Sequence, residues 1–198
     1  MAAQDDHPAM LLLGSNPEVA AHGRAVARIA VRIADQVGLD TRAREMVGVA
    51  AGLHDLGKVP MPDETLDKPG PLDEHEWAQV RLHPIFGEQL LVSAGFAEIA
   101  PWVRHHHERP DGCGYPDGLR GDAIPLQSRI IAVSDAYDAM VSERPYSSAL
   151  SRRAAREELM RGSGTQFDSR IVAAFLQLPL DRPWTRRFRP ARALHAAA

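Results

Sequence analysis

Cysteine is almost absent: Cys113 is the single one in 198 residues. No internal disulfide can form, and a reducing cytoplasm is the natural setting for such a chain. Long apolar runs are missing too. Nothing approaches the roughly 18 uninterrupted apolar residues of a membrane span, and MLLLG at 10–14 follows an acidic pair and is too short for a secretory signal. Positive charge is not in excess. A net charge of −3 argues against a broad basic surface, so polymeric nucleic acid is not an expected partner. Alternating strand patterns and internal repeats are absent as well.

What remains is helical patterning in a chain long enough to bury one substantial core. Val19, Val26, Ile29, Ala30, Ile33 and Val37 recur at helix spacing, predicting a helix over 17–38 with Asn16 and Pro17 at its start. Further helices are expected over 41–56, 73–82, 84–93, 98–108, 126–142, 151–161 and 168–176, with a turn at ERPY (143–146). Residues 109–125 read as a long loop with four glycines. The expected organisation is a short lead (1–15), one all-α domain (16–178) and a basic, proline-broken tail (179–198).

Nine histidines are present, and several fall where ionisable groups are costly. His54 and Asp55 end an apolar stretch, Glu18 and His22 lie one helical turn apart, and His83 precedes Pro84 at a helix start. His106 and His107 stand in RHHHERPDGCGYPDG (104–118), and Asp135 lies among apolar neighbours in a helix. Each residue alone fits a modest role, such as a helix-end pair or a surface pair. Together, five histidines and three carboxylates at helix ends and inner faces are expensive unless they bind something. An all-nitrogen and oxygen donor set suits Fe, Mn or Mg better than closed zinc. Eight ligands exceed one ion but fit two or three. Adjacent helical residues point about 100° apart, so His106 and His107 are expected to serve different ions.

The ordered stretches PEVAAHGRAVA, HDLGKVPMP, LDKPGPLDEHEW, HPIFGEQLL, HHERPDGCGYPDGL, GDAIPLQSRIIAVSDAYDAMVSERPY and SGTQFD resemble the HD-GYP domains of the HD phosphohydrolase superfamily. The resemblance runs over nearly the whole chain. It implies a helical bundle of about seven to eight helices carrying a long Gly-Tyr-Pro loop. It also implies metal-dependent hydrolysis of cyclic di-GMP to pGpG, through a hydroxide bridging the metals, and to GMP if a third metal is present. The matching metal ligands are His22, His54, Asp55, His83, His106, His107 and Asp135, with Asp55 bridging two ions. Glu18 matches a ligand of three-metal members. The ions implied are two or three divalent metals, Fe or Mn. Lys58 and Arg144 match phosphate contacts. Asp138, one turn after Asp135, could assist proton transfer or orient a ligand histidine. In the loop, Gly112, Gly114 and Gly118 permit unusual backbone shapes, Pro116 stiffens, and Tyr115 offers a flat face to a base or to a partner such as a GGDEF-type signalling protein. His105 sits where the family tolerates other residues, as a bystander.

One position departs. Ser147 follows RPY where the family has a basic residue, removing a phosphate contact worth roughly 1.5–3 kcal/mol. Family members often carry an N-terminal receiver or sensor, and this chain begins almost at its first helix, so its input is expected to be missing or supplied by another protein. Two alternatives to the phosphodiesterase stay open: a weakly catalytic cyclic di-GMP sensor or partner-binding module, and a hydrolase of another cyclic dinucleotide.

Overall fold

Apolar residues spaced three and four apart give helix α1 (Pro17–Gln36) one buried stripe of Val26, Ile29, Ala30, Ile33 and Ala34. In the computed structural model, which describes residues 17–62, 68, 70–143 and 148–179, that stripe packs against α2 (Thr41–Gly52) and α6 (Leu126–Val141). The other helices are α3 (Glu74–Val80), α4 (His83–Ser93), α5 (Ala100–Arg104), α7 (Arg152–Arg161) and α8 (Ser169–Leu176). Short 3-10 turns occur at Leu56–Lys58 and Gly121–Ala123. No strand occurs among the described residues, so the all-α expectation holds. No described helix is long and apolar enough to cross a membrane. The lead before α1, Arg144 and Ser147 of the turn after α6, and the tail from 180 lie outside the described residues.

Four helix starts carry side-chain caps. The Asp40 carboxylate accepts from the Ala43 amide, Asp73 and Glu76 form a reciprocal capping box, Ser151 accepts from Ala154, and Asp168 accepts from Arg170. Ile130, Ile131 and Val133 of α6 and Ile171, Val172 and Phe175 of α8 complete the core around α1.

Several helices stop earlier than periodicity predicts, α1 at Gln36 rather than 38 among them. Helix α2 ends at Gly52 rather than 56, α3 at Val80 rather than 82, and α5 covers only Ala100–Arg104 of the expected 98–108. A histidine ring sits at each of these three ends. The Nδ1–H of His54 donates to the Ala51 carbonyl at 2.7 Å, that of His83 to Val80 at 2.7 Å, and that of His106 to Val103 at 2.6 Å. The His54 and His106 rings take carbonyls that a continuing helix would bond to the amides of Asp55 and His107, whereas the Val80 carbonyl has no such partner because residue 84 is proline.

Gly57 sets the next distance. A Cβ there would fall on the His83 carbonyl and the Gly87 amide. The bare backbone lets α4 press directly onto the Leu56–Lys58 turn, which brings His83 beside Asp55.

Candidate metal centre

The three ring-to-carbonyl bonds matter beyond the helix ends. With Nδ1–H committed to the backbone, each neutral imidazole carries its lone pair on Nε2. Those atoms converge. His83 Nε2 faces His106 Nε2 at 3.4 Å, with both rings buried. Neither can donate to the other without breaking its carbonyl bond or becoming charged. A cation between them relieves that contact.

Two groups of donors could each hold a metal ion. Ligand atoms of His22, His54 and Asp55 lie within 4.8 Å of one another, and so do those of His83, His106 and His107. Asp135 joins the first group, its Oδ1 lying 3.1 Å from His22 Nε2 and 3.7 Å from His54 Nε2. Asp55 stands between the groups. Its Oδ2 is 3.5 Å from His54 Nε2, and its Oδ1 is 3.4 Å from His83 Nε2. His54 Nε2 and Asp55 Oδ1 are buried with no hydrogen-bond partner among the described residues. Orphaned atoms of this kind normally have a ligand, so the residues present fit metal ions.

The electrostatics of the two groups differ. Burial pushes His83 down to about 4 and His107 down to about 3, and holds His106 well below the usual imidazole range. That group is a neutral nitrogen set. Burial would also lower His22, but hydrogen bonds to Asp135 and Asp138 outweigh it and raise the ring to about 9. Burial opposes charge on Asp55, yet Lys58 first, then His54, His83 and His106, hold it well below the usual carboxylate range. Burial opposes Asp135 likewise, and the His22 hydrogen bond leads in lowering it to about 2.

The structure groups His106 with His107, unlike the sequence reading, and gives several other residues their partners. His106 and His107 were expected on separate ions. They lie beyond the end of α5, in a turn where neighbouring side chains need not diverge, and their ring centroids are 4.0 Å apart in one donor group. Asp138 Oδ2 accepts from His22 Nδ1 at 2.8 Å, the geometry of the orienting role. Lys58 Nζ lies 2.8 Å from Asp55 Oδ2. The Tyr115 ring stacks on His107 with centroids 4.8 Å apart, so part of its flat face is already covered. His105 stands outside both donor groups, and its Nε2 donates to Asp117 Oδ2 at 2.9 Å. The Glu18 side chain and Arg144 lie outside the described residues.

Sequence reasoning missed Asp117 and Glu108. Asp117 binds Arg104 through both carboxylate oxygens at 2.7 and 2.9 Å. Glu108 is buried and accepts three backbone amides. The available signal was an acid directly after the histidine run and another at the far end of a glycine-rich loop.

A helical domain with paired histidine and aspartate groups at its helix ends defines a class. The chain belongs to the HD-domain family, whose model matches residues 7–171. It is similar to the cyclic di-GMP phosphodiesterase response regulator RpfG of Xanthomonas campestris pv. campestris, at 43% identity over 155 residues, 77% of this chain and 41% of that protein. It is also similar to 3'3'-cGAMP-specific phosphodiesterase 2 of Vibrio cholerae, at 38% identity over 163 residues, 81% of this chain and 31% of that protein. The chain therefore spans less than half the length of either relative. Among solved structures, the cyclic GMP-AMP phosphodiesterase V-cGAP3 of V. cholerae shares the fold with a TM-score of 0.65 at 20% identity, over 85% of this chain and 46% of that one.

Proposed function

We propose that this chain is a metal-dependent phosphodiesterase that hydrolyses cyclic di-GMP to pGpG, and on to GMP where a third ion is held. The observation that carries this reading is Asp55, whose two carboxylate oxygens reach two separate histidine groups. Identity with RpfG supports cyclic di-GMP as substrate. Similarity to a 3'3'-cGAMP-specific enzyme supports a second reading, in which another cyclic dinucleotide is cleaved.

In this reading His22, His54, Asp55 and Asp135 hold one ion, and Asp55, His83, His106 and His107 hold the other. Glu18 adds a third, and Fe or Mn suits the donor set. When bound, paired divalent ions supply charge for the phosphate and a water acidic enough to attack it. The protein does the rest. Asp138 holds the His22 ring to its partners. Lys58, paired with Asp55 and partly exposed, turns its charge toward the phosphate of the incoming nucleotide. Arg144 offsets the remaining phosphate charge, and Tyr115 forms one wall of the cleft. Ser147 leaves that binding weaker than a basic residue would. The domain comprises 16–178, works in the cytoplasm, and meets a GGDEF-type partner through the Gly-Tyr-Pro loop.

The test is anaerobic reconstitution with Fe(II) or Mn(II), followed by separate incubation with cyclic di-GMP and 3'3'-cGAMP and chromatography for pGpG, GMP and linear mixed products. The expected result is pGpG from cyclic di-GMP. Preferred cleavage of cGAMP selects the second reading, binding without product indicates a sensor, and neither binding nor product sinks all three. Asp55→Ala should abolish turnover while the helical circular dichroism is kept.

A further inference from the structure

His107 differs from the histidines around it. His54, His83 and His106 each lock their ring on a backbone carbonyl. Among the described residues no hydrogen bond does this for His107. Its ring is instead held by packing: Tyr115 stacks on it at 4.8 Å and 28°, His106 lies at 4.0 Å, and His83 at 5.0 Å edge-on. The placement of Tyr115 then decides the placement of a candidate ligand.

The chain around Tyr115 is tied back at two points. Glu108, 3% exposed, accepts from the amides of Asp117 at 2.7 Å and Gly118 at 3.0 Å on Oε1, and of Leu119 at 3.0 Å on Oε2. No cation pairs with it among the described residues, so these amides are what satisfy the carboxylate. Asp117 adds its bonds to Arg104 and His105, and Arg104 is itself braced by Glu88 at 2.8 Å. Between the ties, the backbone lies directly on residues 107–109. A Cβ at Gly114 would come within 2.6 Å of the His107 carbonyl and 2.5 Å of the Arg109 amide. The Tyr115 amide donates to that same His107 carbonyl at 3.3 Å.

We infer that Glu108 is a positioning residue: by gathering the amides of 117–119 it keeps Tyr115 stacked on His107 and so fixes the His107 ring in the group with His83 and His106. In RHHHE, Arg104, His105 and Glu108 hold the loop, and His106 and His107 face the donor group. The inference rests on the two-ion reading for its consequence, and on the metal-free geometry for its substance.

Glu108→Gln is the informative variant. It keeps the size but replaces one acceptor oxygen with an amide that opposes a backbone N–H. Histidine-selective carbon–proton spectra of the metal-free protein should show the His107 ring signals shifted or broadened, with those of His22 and His54 in place. Titration with Mn(II) should show one ion bound about tenfold more weakly and the other unchanged. Tyr115→Ala should reproduce both effects, and Tyr115→Phe, which keeps the stacked ring, should show neither. Unchanged His107 signals in Glu108→Gln would overturn the inference. So would equal displacement of all the histidine signals, which marks a merely structural role. Should Glu108→Gln fail to fold, Tyr115→Ala decides alone, and unmoved His107 signals there overturn it. Wild-type protein that takes up fewer than two Mn(II) ions overturns the two-ion reading, while the metal-free spectra still judge Glu108.

Discussion

Three rings, those of His54, His83 and His106, are aimed by the same two-atom device, an Nδ1–H on the carbonyl three residues back. His22 uses a carboxylate instead, and that choice makes Asp138 sensitive to change. Asp138→Ala leaves the half-buried Nδ1–H without a protein partner and the ring held only by Asp135. The expected result is an ion bound about 10–100-fold more weakly at the His22 group, measured by calorimetric titration, with little change at the His83 group. Equal weakening at both would mean the bond serves the fold generally. At this scale the sequence was informative about which residues matter and silent about how they are grouped. His22, His54, Asp55, His83, His106, His107 and Asp135 do come together. The pairing of His106 with His107, and the work of His105 and Glu108, depend on side chains meeting residues far along the chain or in irregular turns. No periodicity encodes either.

Among the elements, apolar spacing located every described helix but misplaced several ends. The 3.6-residue repeat reports which face is buried, whereas the ends of α2 and α5 are decided by the His54 and His106 rings competing for the Ala51 and Val103 carbonyls, and that of α3 by Pro84, which leaves the Val80 carbonyl to His83. The contact between α4 and the Leu56–Lys58 turn was equally hidden, because a glycine in HDLGK reads only as a helix stop. Gly57→Ala tests it. With no room for a methyl group against the His83 carbonyl, α4 must move outward. Overpacking of this kind costs about 1–3 kcal/mol, so the thermal midpoint should fall by several degrees. The separation of His83 from Asp55 should grow with it, and metal uptake at the His83 group should drop. A variant with the wild-type midpoint and full metal content would show that α4 is not held by this contact.

Across the whole molecule, one ionic network joins distant parts. Arg129 of α6 binds Asp168 at 2.6 Å and Asp122 at 2.8 Å, and Arg170 of α8 binds the same two carboxylates at 3.0 and 2.6 Å. Burial would raise Asp168, but hydrogen bonds from Arg170 and Arg129 lower it to about 2. A carboxyl lowered in the folded state stabilises it fully above the unfolded value near 4 and progressively less as pH falls toward the folded value. Acid titration should therefore show stability lost between about pH 4 and 2. Asp168→Asn should be less stable at neutral pH and flatter across that window; an unchanged acid profile would show that this network does not control acid unfolding. The gathering of His54, His83 and His106, each just past the end of a helix, has one more consequence. Their Nε2 atoms lie close to Asp55 and one another, with Asp135 beside His54. Asp55 and Asp135 add carboxylate charge there, which welcomes cations and repels phosphate. On the proposed function, that charge predicts an order of binding: ions first, nucleotide second. Chelator-treated protein should bind cyclic di-GMP at least tenfold more weakly than protein reloaded with Mn(II), and tight binding to the stripped protein would place the nucleotide away from these helix ends.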